Sequence, residues 1–144
     1  MNVSESTVIE RPAADVWAIV RDFIGLTAWS NAVSEARINN NLAADQVGAI
    51  RELKVGEAIF VETLVTRSDQ AMTLQYDIVQ GPLPVTNYLA TMRVQAITAS
   101  DTSFVSWGAQ FDTPPDQIDA MQEVVGGQIC AGGLAALKAW CEAR

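Results

Sequence analysis

Hydrophobic and polar residues alternate with a period of two through the middle of the chain, from residue 33 to residue 111. This period is typical of half-buried β-strands. It predicts six strands, over residues 33–38, 48–55, 58–67, 72–80, 85–97 and 103–112. Turn-rich pieces separate them, and connections this short suit antiparallel neighbours, because parallel strands need long crossovers.

On three of these strands the buried face can be identified directly from the alternation. Its apolar positions are Met72, Leu74, Tyr76 and Ile78, then Tyr88, Ala90, Met92 and Val94, and finally Val105, Trp107, Ala109 and Phe111. The intervening positions are mostly polar, which indicates a sheet with one covered and one solvated face. In the 58–67 segment both faces are apolar, so periodicity alone leaves its orientation open.

The segment before these strands contains a first strand over residues 3–11 and then changes to a helical period. Residues 12–23 predict a helix in which Pro12 suits the first turn. Its apolar stripe consists of Ala13, Val16, Trp17 and Val20. Residues 26–31 predict a second short helix, and Gly25 interrupts the chain between the two.

A long helix is predicted at the C-terminal end, over residues 114–143. Thr113 is the expected N-cap, followed by proline in the first turn and by Asp116 three residues after the cap. The expected core stripe is Ile118, Met121, Val125, Ile129, Ala136 and Trp140.

Two glycine pairs, at 126–127 and 132–133, interrupt this helix. Each glycine costs a helix interior about 1 kcal/mol relative to alanine. Four of them indicate that a neighbouring backbone or a ligand needs room beside the helix. The alternative is that packing elsewhere compensates for tolerated glycines.

Length and charge restrict the class of protein. A chain of 144 residues suits one domain, 1–144, and its net charge of −8 argues against binding to nucleic acid or to anionic membranes. No apolar run has the length of a membrane span, and the first twelve residues lack the apolar core of a signal peptide. We therefore expect no nucleic-acid partner and no membrane insertion.

The two cysteines, Cys130 and Cys141, are eleven residues apart in the predicted helix. At 1.5 Å per residue they lie about 16 Å apart, whereas a disulfide requires Cα atoms within about 7 Å. They are expected to be reduced, which favours a cytoplasmic location.

Histidine is absent from the chain. This excludes the Ser-His-Asp and Cys-His nucleophile systems and removes the commonest transition-metal ligand. The sequence also contains neither paired-cysteine metal spacing nor a glycine-rich phosphate loop. We therefore expect no metal and no cofactor.

Several segments, taken together and in their order, are similar to a known family. PAADVWAIVRDF, VGAIREL, VETL, LQYDIVQGPLPVTNY, FVSWGAQF and GGLAALKAW resemble the polyketide cyclase/dehydrase group of the SRPBCC (START-like) superfamily. That superfamily includes the birch-pollen allergen and the abscisic-acid receptors of plants. The resemblance covers nearly the whole chain.

The resemblance implies an α+β protein with the helix-grip fold. In this fold a seven-stranded curved antiparallel sheet is wrapped around a long C-terminal helix, with two short helices after the first strand. An apolar cavity is expected between sheet and helix.

The resemblance also assigns candidate ligand-binding residues. It implies that Phe60, Glu62 and Leu64 face the cavity, which settles the ambiguous strand. The remaining candidates are Trp29, Arg51, Leu53, Tyr76, Ile78, Val85, Tyr88, Ala90, Trp107, Ala109, Val125, Ile129 and Gly133. Gly133 is expected to leave space near Tyr76 and Trp107 that a larger side chain could fill.

Four polar residues carry the candidate chemistry. A carboxylate on an apolar face needs a partner, and Arg51 on the neighbouring strand is the partner expected for Glu62. The pair is either a structural ion pair or a device that orients a ligand, with Glu62 as acid or base. Tyr76 and Tyr88 could polarise a carbonyl, or they could simply line a wall.

The resemblance, taken together with these residues, implies three alternative functions. The first is binding of an apolar, aromatic or polyketide-like, and in that sense lipid-like, small molecule. The second is a cyclase/dehydratase-type enzyme with Glu62 as the acid/base and Tyr76 and Tyr88 as oxyanion donors. The third is a START-like partner-binding protein. The expected partner is a small apolar ligand, and the expected state is a monomer or weak homodimer.

Overall fold

The computed structural model describes residues 1–144, and its elements follow the predicted order. The strands are β1 (Asn2–Ile9), β2 (Val33–Ile38), β3 (Ile50–Val55), β4 (Ala58–Ser68), β5 (Thr73–Asp77), β6 (Thr86–Ile97) and β7 (Thr102–Asp112). Two short helices, α1 (Ala13–Val20) and α2 (Leu26–Trp29), lie between β1 and β2.

The last element is one continuous helix, Pro115–Glu142, which we call the C-terminal helix. It begins with a 3₁₀ turn (Pro115–Gln117) and a short α-helical piece, α3 (Ile118–Met121). A π-helical segment (Gln122–Ala131) follows, and α4 (Gly132–Glu142) completes the helix.

All seven strands form one curved antiparallel sheet in the order β1-β7-β6-β5-β4-β3-β2. Sequence neighbours from β2 to β7 are also neighbours in the sheet, whereas β1 pairs with β7. The connection that contains α1 and α2 therefore leads from one edge of the sheet to the other. This architecture confirms the predicted α+β class.

The buried faces of the strands agree with the predicted alternation. All the apolar positions predicted on β6 and β7 are buried, as are Leu74 and Tyr76 on β5. On β4, Glu62 and Leu64 are buried while Ile59 and Val65 are exposed. The orientation that the family resemblance implied for β4 is therefore the observed one.

The predicted threonine cap of the C-terminal helix is wrong. The Thr113 hydroxyl donates a hydrogen bond to the carbonyl of Pro84 at 2.8 Å, so it fastens the strand end to the β5–β6 connection. The helix starts two residues later at Pro115, without a side-chain cap. The local sequence signal was overridden by this long-range contact.

The predicted core stripe of the C-terminal helix is only partly right, because residues 122–131 are π-helical. In a π-helix the backbone hydrogen bonds join residues five apart rather than four, so each turn holds more residues than an α-helical turn and the buried stripe shifts. Val125 is accordingly followed on the buried side by Cys130, and both are completely buried. Ile118 is 42% exposed, contrary to expectation.

By length and composition alone, the C-terminal helix could cross a membrane. In this structure its buried residues belong to the same core as the sheet. Core helices of soluble proteins pass the same test, so the helix is only weak evidence of a membrane span.

Candidate functional site

A cavity of about 410 Å³ lies between the sheet and the C-terminal helix. Ten of its seventeen lining residues are hydrophobic, so most of its wall suits an apolar molecule. The lining residues are Leu26, Ser30, Asn31, Ala32, Val33, Arg51, Leu53, Val55, Phe60, Glu62, Tyr76, Trp107, Val124, Gln128, Ile129, Gly132 and Gly133.

The cavity has two chemically different ends. We call the exposed lining residues Asn31, Ala32, Gln128 and Gly132 its mouth. Six lining residues are buried, and the four of them that carry polar atoms on their side chains form what we call its buried end: Arg51, Glu62, Tyr76 and Trp107. Most of the other lining residues are apolar, so polar side chains are concentrated at these two ends.

Eight of the candidate residues predicted from the sequence line this cavity. They are Arg51, Leu53, Phe60, Glu62, Tyr76, Trp107, Ile129 and Gly133. These positions come from β3, β4, β5, β7 and the C-terminal helix. The fold therefore brings together residues that are as far apart in the sequence as Arg51 and Gly133.

The other eight candidates lie outside the lining of this cavity. They are Trp29, Leu64, Ile78, Val85, Tyr88, Ala90, Ala109 and Val125. The covered face of the sheet is larger than the cavity. Much of the part outside the cavity is occupied by side chains of the hydrophobic core. Tyr88, for example, stacks on the ring of Phe111 with centroids 5.5 Å apart.

Sequence reasoning missed the segment that forms part of the mouth, residues 30–33. We predicted that the second helix continued to residue 31, whereas α2 ends at Trp29. Ser30 then ends the helix, because its hydroxyl oxygen accepts hydrogen bonds from the backbone N–H groups of Ala32 and Val33. A serine immediately after the apolar tryptophan was the available signal for this turn.

The remaining missed lining residues lie on several different elements. They are Leu26, Val55, Val124, Gln128 and Gly132. Val124 and Gln128 belong to the π-helical segment, whose period differs from the α-helical one used for the prediction.

Arg51 and Glu62 form a buried ion pair, as predicted. They lie directly opposite each other on β3 and β4. Nε and Nη2 of Arg51 approach Oε1 of Glu62 at 2.8 and 2.7 Å. The side chains are only 5% and 7% exposed, so water contributes little to the solvation of either charge.

Further contacts hold the guanidinium of Arg51 in place. Nη1 donates a hydrogen bond to the backbone carbonyl of Phe23 at 2.7 Å. The guanidinium carbon lies 3.9 Å from the ring centroid of Phe23 and 4.7 Å from that of Tyr76. Contacts of this kind add cation–π stabilisation, which is larger where water is excluded.

Burial raises the pKa of Glu62, and the opposing influence of Arg51 only partly compensates. The hydrogen bond from Nε of Arg51 and the ion-pair contact of Nη2 both fall on Oε1, whereas Oε2 has no hydrogen-bond partner within the protein. Because the positive guanidinium faces Oε1, Oε2 is the oxygen on which a proton would reside. The residue can therefore accept or donate a proton at a defined atom.

Tyr76 is the second polar group at the buried end. Its hydroxyl oxygen accepts a hydrogen bond from Nε1 of Trp107 at 3.0 Å. Burial and, secondarily, the charge of Glu62 raise the pKa of Tyr76 well above its usual value. The hydroxyl thus keeps its proton and can act as a hydrogen-bond donor.

The predicted pair of tyrosine donors is not present at the cavity, because only Tyr76 lines it. Burial likewise raises the pKa of Tyr88, which remains protonated in the core beside the C-terminal helix. The buried thiol of Cys130 has a pKa raised to about 12, so it is not a thiolate at neutral pH.

The space that we expected beside Gly133 is occupied. A Cβ atom at Gly133 would lie 2.3 Å from Cζ3 of Trp107, which is far closer than van der Waals contact allows. The glycine allows the indole to pack directly against the helix backbone, so that prediction is corrected. At Gly132, in contrast, the nearest atom to such a Cβ is 3.5 Å away.

The site offers no arrangement typical of a bound metal. No group of three or more Cys, Asp or Glu side chains is placed as ligands of one ion.

Comparison with known families identifies the chain. The family described as polyketide cyclase / dehydrase and lipid transport matches residues 1–142. The chain belongs to this family. The match to the polyketide cyclase/dehydrase group covers almost every residue, and it confirms the resemblance that the sequence segments carry.

Solved structures agree with this assignment to the polyketide cyclase/dehydrase family. An NMR structure from Thermobifida fusca is 33% identical, with a TM-score of 0.86, over 95% of this chain and 90% of that one. The protein XoxI from Bacillus cereus is 26% identical, with a TM-score of 0.87, over 97% and 94% of the two chains.

A protein from Nitrosospira multiformis shares the fold at 24% identity, with a TM-score of 0.84 over 98% of this chain and 96% of that one. Among curated proteins, none is significantly similar to this chain in sequence.

Proposed function

We propose that this protein binds an apolar, aromatic or polyketide-like small molecule in the cavity between the sheet and the C-terminal helix. The observation that carries the proposal is the cavity itself, at about 410 Å³. Small-molecule sites in proteins range over about 300–1,000 Å³ and combine apolar walls with a few polar groups. The family's description, which includes lipid transport, supports the same function.

The cavity walls supply the energy for such binding. Leu53, Phe60 and Ile129 present apolar surface to the cavity. Burial of apolar surface contributes about 25 cal/mol per Å² removed from water. The buried end then supplies orientation, because its polar groups are few and rigidly held.

The most direct test identifies small molecules that copurify with the protein. Small molecules released from the purified, denatured protein are identified by mass spectrometry. In parallel, the neutral fluorescent probe N-phenyl-1-naphthylamine is titrated into protein that has been stripped of ligand. We expect an apolar compound to be released and the probe to bind at one site per chain.

A matched pair of variants locates the binding. Ile129→Trp adds bulk at a lining position, whereas Ala139→Trp adds an indole at an exposed position of the same helix outside the cavity. We expect Ile129→Trp to weaken probe binding at least about tenfold and Ala139→Trp to leave it unchanged. Equal binding by both variants, or no binding by the unmodified protein, would contradict the proposal.

An enzyme of the cyclase/dehydratase type is the second candidate. It is favoured by one observation, the unpartnered Oε2 of Glu62 in a cavity that Tyr76 also lines. In that role Glu62 would transfer a proton and Tyr76 would stabilise a developing oxyanion. Turnover of a candidate substrate that Glu62→Gln abolishes, with probe binding preserved, would favour this function over binding alone.

A further inference from the structure

At the buried end of the cavity, some polar groups are already paired with other groups of the protein, whereas others have a donor or an acceptor that is still free. Nε of Arg51 donates to Glu62 and Nη1 donates to the carbonyl of Phe23, while Nη2 lies 2.7 Å from Oε1 of Glu62 in the ion pair. Rings of Phe23 and Tyr76 lie close to the same guanidinium. The positive charge of the cavity is therefore already neutralised and solvated by the protein.

Two groups at the same end retain unused capacity. Oε2 of Glu62 receives no hydrogen bond, while Oε1 accepts one from Nε of Arg51 and lies 2.7 Å from Nη2. The hydroxyl of Tyr76 accepts from Trp107, but its own proton has no acceptor within the protein. One group is thus a free acceptor and the other a free donor.

From these contacts we infer that the cavity selects a neutral ligand with a hydroxyl group, a phenol or an alcohol on an apolar body, and rejects carboxylates. The inference rests on the proposed binding function and specifies the chemical class of its ligand. A hydroxyl both donates and accepts, so it can bind the Glu62 carboxyl group in either protonation state and can also accept from Tyr76.

A carboxylate ligand lacks a comparable partner. Arg51 and Glu62 are the only charged residues that line the cavity, and they already neutralise each other. An anion would have to displace Glu62 from Arg51 or be buried beside an unpaired acceptor. Burying a charge without a partner is strongly unfavourable.

Three probes of similar size and shape test the inference at neutral pH: 2-naphthol, 2-naphthoate and naphthalene. Binding is measured by competition with N-phenyl-1-naphthylamine. We expect 2-naphthol to bind at least about tenfold more tightly than naphthalene, because a hydrogen bond to a charged group contributes that much or more. We expect 2-naphthoate to bind more weakly than either neutral probe.

Variants assign the preference to the two groups. Tyr76→Phe, and separately the double change Arg51→Met with Glu62→Leu, should each reduce the ratio of naphthol to naphthalene affinity while naphthalene binding persists. Tyr88→Phe is the matched control, because Tyr88 is a buried tyrosine that does not line the cavity. It should leave the ratio unchanged.

The outcomes separate the two proposals. Naphthalene binding with no preference for 2-naphthol, or with 2-naphthoate bound as tightly, would overturn the hydroxyl inference and leave the binding function intact. If none of the three probes binds even to the unmodified protein, the binding function itself fails. The comparison of probes does not depend on any variant folding.

Discussion

Arg51 and Glu62 would each be costly to bury alone, and the side chains of both are almost completely removed from water. Together they place two opposite charges within 2.8 Å, next to the carbonyl of Phe23, which accepts the remaining guanidinium bond. Removing one partner therefore has a different consequence from removing both, because only the first leaves an uncompensated buried charge.

We predict that Arg51→Met destabilises the protein more than the double change Arg51→Met with Glu62→Leu. Breaking a buried pair costs about 3–5 kcal/mol, because the remaining carboxylate is left unpaired. The double variant leaves no unpaired charge and loses the bond to the Phe23 carbonyl, a cost of about 1–3 kcal/mol, together with the contacts of the guanidinium to the rings of Phe23 and Tyr76. Urea unfolding at neutral pH measures the stability of both variants. Equal losses of unfolding free energy would show that the two charges are not coupled.

The stability of the Arg51→Met variant should depend on pH. Burial raises the pKa of Glu62 above its ordinary value near 4.5, and loss of Arg51 removes the influence that opposes this rise. A raised folded-state pKa means that stability falls as pH rises through it. The loss of unfolding free energy caused by Arg51→Met, relative to the unmodified protein, should therefore be largest at alkaline pH and should shrink as the pH approaches 4.5. A deficit that does not vary over this range would contradict the explanation.

At the scale of elements, the C-terminal helix combines two different helical geometries along one face of the cavity. Its π-helical segment contributes Val124, Gln128 and Ile129 to the lining, and the start of α4 contributes Gly132 and Gly133. The two adjacent glycines have different surroundings, since only Gly133 lies directly against Trp107.

We predict opposite effects for alanine at these two glycines. Gly133→Ala places a Cβ atom 2.3 Å from the Trp107 ring, so overpacking should cost about 1–3 kcal/mol. Gly132→Ala meets its nearest atom at 3.5 Å and should stabilise the helix by up to about 1 kcal/mol. Denaturant unfolding of the two variants provides the measurement. A neutral or stabilising Gly133→Ala would mean that the indole does not pack on the helix.

At the scale of the whole molecule, both edges of the sheet are protected. The edge strand β2 has a β-bulge between Val33 and Glu35 and exposes the charges of Glu35 and Arg37. At the other edge, Lys138 from the C-terminal helix donates to the carbonyl of Val8 at 2.6 Å. Bulges, charges and covered edges all oppose pairing with a second sheet.

We therefore predict that the protein is predominantly monomeric in solution, within the expectation of a monomer or weak homodimer. The net charge of −8 adds repulsion between copies. Sedimentation velocity at physiological salt, over a range of micromolar concentrations, measures this. A stable dimer at the lowest concentration would contradict it.

The sequence by itself determined the order of elements and the buried faces of the strands. Alternation identified the inward positions of β6 and β7 because a half-buried strand has only two faces and must place its apolar side against the core. The orientation of β3 and β4 came from the family resemblance, and the need of a buried carboxylate for a partner then paired Glu62 with Arg51. Arg51, Leu53, Phe60 and Glu62, predicted in this way, all line the cavity.

Only the tertiary structure decided where the cavity begins and ends. Tyr88 and Trp107 have equivalent sequence patterns, yet one stacks on Phe111 in the core and the other lines the cavity. The period of the helix also changes in the π-helical segment, where Cys130 replaces Ile129 on the buried side. Both outcomes depend on how the helix packs across the sheet, and periodicity within one element carries no information about the side chains that meet it from another.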